Sequence, residues 1–287
     1  MELGLKYNIE LVEDVTNILA QDFWVYCHFV GSMIPEISDP IKFTSFCSIF
    51  VKEGKGRIEI DLMPYEFEGP CIVNIRQGQI IQNAIINDKF EASFIVLSKR
   101  FCDNLFVMLK DCNSYGSATL HQVVSVPPAL VGKFENFYSH IKEIFSESKS
   151  INAYQAMVLA IASFFYECGT KCYLPVLDPL QTSAGRLTEK FLSLVQQHFK
   201  KERFLDFYAD KLEVSGKHLS RTVKEATGFT AVDWIDRFVI LEAKVLLKST
   251  TMSIQQISDE LNFNSQSFFG KYFKKHTGSS PKDFRNS

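Results

Sequence analysis

The chain's 287 residues exceed what one compact domain ordinarily needs, so two domains are expected. With 46% hydrophobic and 22% charged residues, no run near the roughly 20 apolar residues of a membrane span, and a start (MELGLKYNIELVEDV) without the basic-then-apolar order of an export signal, the sequence predicts a cytoplasmic protein with no membrane partner. The net charge of −2 divides unevenly: residues 1–175 carry 14 Lys and Arg against 20 Asp and Glu, whereas residues 176–287 carry 17 against 13, so a polyanionic partner suits the C-terminal part alone.

From Phe23 to about Ser98 the chain reads as short strands. DFWVYCHFV, KFTSFCSIFV, RIEIDL, CIVNI and EASFIVLS are rich in β-branched and aromatic residues, and Gly, Pro and Asn-Asp turns separate them. Such a series predicts a sandwich or barrel. The aromatic residues Phe23, Trp24, Tyr26, Phe43, Phe46 and Phe50 are expected either to fill its core or to line a pocket. A helical period follows. Phe134, Phe137, Tyr138, Ile141, Ile144 and Phe145 form one apolar stripe, and Ile151, Tyr154, Val158, Ile161, Phe164 and Phe165 form a second. The two helices are expected to form a hairpin against the strands, to pair with a second copy, or both. Prolines, glycines and small polar residues then mark a linker at 176–186. The seven cysteines, odd in number and irregularly spaced, predict free thiols.

Beyond residue 187 the sequence is helical and contains a repeat. ADKLEVSGKHLSRTVKEATG (209–228) aligns with SDELNFNSQSFFGKYFKKHTG (258–278), with one extra residue in the second turn. Ala209 matches Ser258, Leu212 Leu261, Ser215 Ser265, Leu219 Phe269, Arg221 Lys271, Val223 Phe273, Lys224 Lys274, Thr227 Thr277 and Gly228 Gly278. Each copy has the parts of a helix-turn-helix. A small residue permits close helix crossing, a serine caps the second helix, two apolar residues point to the core, and a glycine ends the helix. The other face is polar or basic, and such a helix fits a DNA major groove. Between the copies, TAVDWIDRFVILEAKVLLKS predicts one helix of about 19 residues, near 28 Å at 1.5 Å per residue, with an apolar stripe at Val232, Ile235, Val239, Ala243, Leu246 and Leu247. A rod of that length can hold two recognition helices roughly one DNA turn, ~34 Å, apart.

The second copy resembles the AraC/XylS family of transcription regulators along its whole length. The matching residues are Ile254, Ile257, Phe263, Ser265, Phe268, Phe269, Lys271, Phe273, Lys274, Gly278, Pro281 and Phe284-Arg285. The sequence departs from the family at Ser258, where alanine is usual, at Asn262, where glycine is usual, and at Val239, often arginine. The resemblance implies an α+β protein of two domains. Residues 1–175 would be a cupin-like β-barrel with a helical hairpin, serving as sensor and dimerisation domain. Residues 187–287 would be an all-α DNA-binding domain of two helix-turn-helix motifs joined by a long helix.

The same resemblance implies base-facing positions at Lys217, Ser220 and Arg221 in the first unit and at Gln266, Ser267, Gly270 and Lys271 in the second. Arg and Lys suit guanine O6 and N7, and Gln suits an adenine edge. Ser215, Lys224, Ser265, Lys274 and Lys275 suit phosphates, which set register without carrying a code. The expected function is a transcription regulator, an activator by the family's commoner habit, working as a homodimer on double-stranded DNA with RNA polymerase. Control by a small-molecule effector and control by expression level or a protein partner both remain open. No cofactor or metal is expected. A cupin-type enzyme would need a cluster of histidines, and the first 132 residues offer His28 and His121 without a His-x-His pair. A zinc-dependent alkyl acceptor would need four thiolates, and Cys168-x₃-Cys172 supplies one close pair.

Overall fold

The computed structural model describes residues 22–31, 37, 39–109, 121–146, 152–173 and 183–286, and these fall into two compact units divided near residue 177. The acidic N-terminal stretch, Cys112, Ile151 and residues 176–182 of the expected linker lie outside the described residues.

Among the described residues the first unit contains nine strands: β1 (Phe23–Val30), β2 (Ile41–Lys42), β3 (Phe46–Glu53), β4 (Lys55–Ile60), β5 (Met63–Glu68), β6 (Cys71–Ile75), β7 (Ile80–Ile86), β8 (Glu91–Leu97) and β9 (Val123–Ser125). They form two antiparallel sheets, ordered β1-β8-β3-β6-β9 and β2-β7-β4-β5. The expectation of a barrel is therefore corrected: among the described strands the sheets do not close on each other. The strand pattern reports inside and outside for each strand but not its neighbours. Here the chain changes sheet at every step from β1 to β8 except between β4 and β5, leaving each sheet with its own edges. The corner between β3 and β4, at Gly54, admits no side chain, because a Cβ there would lie 2.6 Å from Phe90 Cα.

Strand alternation divides the side chains of the five-stranded sheet between two cores. Val51, Cys71, Val73 and Ala92 pack in one cluster with Phe90, and Phe67 and Ile86 of the other sheet join it. Phe50, Ile72, Ile95 and Leu97 point the other way, into a cluster shared with three helices. These are α1 (Lys99–Leu109), α2 (Val131–Ser146) and α3 (Ala153–Tyr173). The expected hairpin is present as α2 and α3, with Phe137 stacked on Phe164 at 4.0 Å between ring centroids. Phe134, Tyr138 and Ile141 of the first stripe and Val158 and Ile161 of the second are buried. Helix α1 is additional to the expected elements. Its Phe101, Leu105 and Leu109 recur every four residues and are buried. Of the six aromatic residues singled out earlier, Phe23, Phe43 and Phe50 are buried core, while Trp24, Tyr26 and Phe46 are half-buried.

The second unit is all-helical, with α4 (Ser183–His198), α5 (Leu205–Lys211), α6 (Gly216–Thr227), α7 (Ala231–Ser249), α8 (Ile254–Glu260), α9 (Gln266–Thr277) and α10 (Pro281–Asn286). Helix α4 begins four residues inside the expected linker. Helix α7 is the expected rod, 19 residues long. Ile235, Val239, Ala243 and Leu247 of its stripe are buried, whereas Val232 is 44% exposed. Val232 sits in the first turn, ahead of the helices that cover the rest. Val239, where the family often has arginine, is fully buried and fills core volume instead of making a polar tie. Thr230 caps α7 in a reciprocal box with Asp233, and Ser253 caps α8 with Gln256 in the same manner.

A buried hydroxyl and a capping box each set part of this unit's stability. Ser258 is fully buried where α8 crosses its neighbour, and its Oγ has no hydrogen-bond partner among the described residues. Ser258→Ala should raise the unfolding free energy by about 1 kcal/mol in denaturant titration; an unchanged or lowered value would mean that the hydroxyl is satisfied. The hydrogen bonds from the Thr230 side chain and backbone hold the Asp233 carboxyl below the usual aspartate range. The box therefore stabilises fully above about pH 5 and loses its effect as acid protonates Asp233. Thr230→Ala should cost about 1 kcal/mol at neutral pH, and the gap from wild type should narrow below pH ~4. Trp234 fluorescence in a Trp24→Phe background would follow it.

Candidate nucleic-acid interface

The two sequence repeats fold into matching backbone units. In the first, α5 meets α6 across a turn at 212–215; in the second, α8 meets α9 across 261–265. The turns share their hydrogen bonds. Val214 N–H donates to Ala209 C=O at 3.0 Å, and Phe263 N–H to Ser258 C=O at 2.9 Å. Both turns pass through one left-handed residue, Glu213 at φ 55° and Asn262 at φ 54°. Asparagine tolerates that conformation well, so the expected replacement of glycine by Asn262 keeps the turn; Glu213 holds it at greater steric cost.

Each recognition helix is then started and stopped by the expected residues. The Ser215 side chain accepts the His218 N–H, and the Ser265 side chain accepts the Phe268 N–H, both at 3.2 Å. Gly228 and Gly278 end α6 and α9 at φ 81° and 82°, each donating to the carbonyl four residues back. Thr227 and Thr277 close the last turns by donating to the Val223 and Phe273 carbonyls at 2.8 Å. Leu219 and Val223 of α6, and Phe269 and Phe273 of α9, are fully buried. Each such side chain contributes about 1.5–3 kcal/mol by leaving water. That burial fixes which face of each helix turns outward.

The outward face carries the expected site residues. Lys217, Arg221, Gln266, Ser267 and Lys271 are exposed, and Ser220 and Gly270 are half-exposed. Ser215, Lys224, Ser265, Lys274 and Lys275 are exposed too. Ser215 and Ser265 use an oxygen lone pair for capping, which leaves each hydroxyl hydrogen able to donate to a phosphate. Arg221 stands 3.8 Å from Glu225 with both side chains about 70% exposed, at 70% and 71%. Water screens such a pair, so exchanging it for a base edge costs little. Helix α9 contains three lysines and no carboxylate, whereas α6 contains Glu225.

One exposed residue was not among the expected contacts. Phe268, in the first turn of α9, is 55% exposed and touches Phe263 at 6.0 Å between ring centroids. Its neighbour Phe269 is in the core, because a helix turns by about 100° from one residue to the next.

Helix α7 ties the two units together. Trp234 Nε1 donates to Thr227 Oγ1 at the end of α6, at 2.8 Å. Tyr272 of α9 donates to Asp236 Oδ1 at 2.7 Å. Burial and this bond push the Tyr272 hydroxyl well above the usual tyrosine range, so it stays a donor. Lys200 lies 3.2 Å from the buried Glu242 of α7 and 2.7 Å from Glu260 of α8. Burial works against the Lys200 charge, but the bond to Glu260 and the pull of Glu242 outweigh it and raise its pKa. Arg203 donates to the Leu261 carbonyl at the end of α8 and stacks 3.7 Å over the Phe263 ring.

Residues 208–287 match the family described as a helix-turn-helix domain. The chain is 34% identical over 109 residues to YfiF of Bacillus subtilis, an HTH-type transcriptional regulator, covering 38% of this chain and 34% of that protein. It is 30% identical over 108 residues to RhaS of Escherichia coli, an HTH-type transcriptional activator, covering 38% of each. The match therefore spans little more than a third of either relative. Among solved structures, ToxT of Vibrio cholerae aligns over 92% of this chain and 98% of its own, at 15% identity and a TM-score of 0.43. Among the described residues, no helix is long and apolar enough to cross a membrane. The repeat, its caps and these relatives together identify the C-terminal part of the chain as an AraC-type helix-turn-helix domain.

Proposed function

We propose that this chain is a sequence-specific transcription regulator that places α6 and α9 in two successive major grooves of one duplex. The observation that carries this reading is the doubled geometry: two recognition helices, capped and stopped alike, turn polar and cationic faces outward from one core. Lys217, Ser220 and Arg221 of α6 and Gln266, Ser267, Gly270 and Lys271 of α9 face bases. Ser215, Lys224, Ser265, Lys274 and Lys275 meet phosphates. Phe268 joins the base-facing set, since an exposed ring on the first turn of α9 suits a thymine methyl. RhaS, a relative by its C-terminal part, is an activator, and activation through RNA polymerase is the outcome proposed here. The first unit serves as sensor and as the contact between two copies, so that two linked DNA-binding domains gain affinity through effective concentration. No enzymatic step is part of this function.

Duplexes selected from a random pool with the purified full chain supply the probe. Against the best of them, Arg221→Ala should cost ~1–3 kcal/mol and relax preference at one base pair. Lys274→Ala should weaken all duplexes alike and flatten the salt dependence by about one unit of slope. Failure to enrich any sequence would contradict the function, and equal loss on all sequences for Arg221→Ala would contradict its role. Replacing single thymines by uracil tests Phe268. One position should lose affinity in the wild type and lose none in Phe268→Ala. A selected duplex indifferent to every such replacement would remove Phe268 from the interface while leaving the rest.

A further inference from the structure

We propose that Gly270 is a positioning residue of the DNA interface: by presenting no side chain on the outward face of α9, it lets the helix backbone come close enough to the bases for Gln266 to bond an adenine edge with both its donor and its acceptor. This role rests on the reading of α9 as a groove-entering helix and adds what sets its depth there.

The free chain gives no reason for glycine at this place. Gly270 is the fifth of the twelve residues of α9, and glycine inside a helix costs stability relative to alanine, because the unfolded chain has more freedom to lose. Gly228 and Gly278 are needed for their left-handed backbone, but the φ of Gly270 is not positive. Gly54 is needed because a Cβ there would meet the backbone of Phe90 at 2.6 Å. At Gly270, outside the adjoining residues and the helix's own backbone, no heavy atom among the described residues lies within 4 Å of where a Cβ would stand. Alanine would therefore fit and stabilise. A residue that weakens its helix without relieving strain or crowding points to something outside the free chain that approaches the backbone closely. Its position says what approaches. At about 100° per residue, Gln266, Ser267 and Lys274 lie within about 60° of Gly270 around the helix, and Lys271 about 100° away. All four are exposed. In the repeat, the matching residue of α6 is Ser220, whose hydroxyl can bond a base itself. The first module thus meets DNA at this position with a side chain, and the second with its backbone. Depth matters most to Gln266. Its amide must meet an adenine edge at two points, each within about 2.7–3.2 Å, whereas Lys271 carries a point charge on a long flexible stem that absorbs a shift. A methyl group wedged between helix and base pair would hold Gln266 off.

The test is a double-mutant cycle on the full-length protein with the duplex selected as above. Gln266→Ala should weaken binding roughly tenfold and relax preference at one A·T pair. Gly270→Ala should weaken binding as much, relax preference at the same pair, and leave preference at the Arg221 pair intact. The double variant should bind within about twofold of either single one, because both remove the same contact. In denaturant titration Gly270→Ala should unfold at a higher midpoint than the wild type. Stability and affinity then move in opposite directions, which a purely structural role does not produce. Unchanged affinity of Gly270→Ala, losses that multiply in full in the double variant, no loss for Gln266→Ala, or a midpoint lowered by Gly270→Ala would overturn the proposal while leaving the regulator function standing. Failure of the wild type to enrich any duplex would overturn both.

Discussion

The architecture of the second unit depends on the packing of α7 between two helix-turn-helix modules. Trp234, Ile235, Val239, Ala243 and Leu247 are buried, and a bond from α7 to Thr227 and bonds to α7 from Tyr272 and Lys200 fix it at several places along its length. Apolar burial holds the helices together without specifying an angle. The directed bonds supply the angle, because each is short and joins α7 to a group in, or just beyond the end of, a neighbouring helix. Two recognition helices on a common frame lose less freedom on meeting DNA than two independent ones would. The buried Glu242 shows how closely the frame is determined: its charge is tolerable there because Lys200 reaches it from the end of α4 while also holding Glu260 of α8.

The two modules have the same backbone and different surfaces. Both turns use a left-handed residue, both recognition helices start at a serine and stop at a glycine, and both close with a threonine bonded back to the chain. Outside that skeleton they diverge. Helix α6 sets Arg221 beside Glu225, whereas α9 has lysines without a carboxylate, a glycine where α6 has Ser220, and the exposed ring of Phe268. Selective hydrogen bonding fits the first surface. Charge, close approach and apolar contact fit the second.

How much of this was legible in the sequence follows from how local each determinant is. Ser215, Ser265, Gly228 and Gly278 act through the backbone within four residues, so their roles could be read from spacing, as could the extent of α7. The exposed face of each recognition helix followed from the buried one. Long-range facts were not legible. The strand pattern of β3 or β6 could not say that the chain alternates between two open sheets, so a barrel was expected where none closes. Helix α1 was not anticipated, although Phe101, Leu105 and Leu109 recur at helical spacing after the polar Ser98-Lys99-Arg100. Val232 continues the stripe of α7 in sequence but lies beyond the helices that cover it.

Hydroxyl-radical footprinting of a selected duplex with the full chain tests most directly whether one frame presents both helices together. The account predicts, for each bound domain, two protected patches on one face of the DNA, separated by about 10 base pairs, both lost together when the core beneath either recognition helix is disrupted. A single patch per domain, or two whose spacing varies from one bound sequence to another, would contradict it.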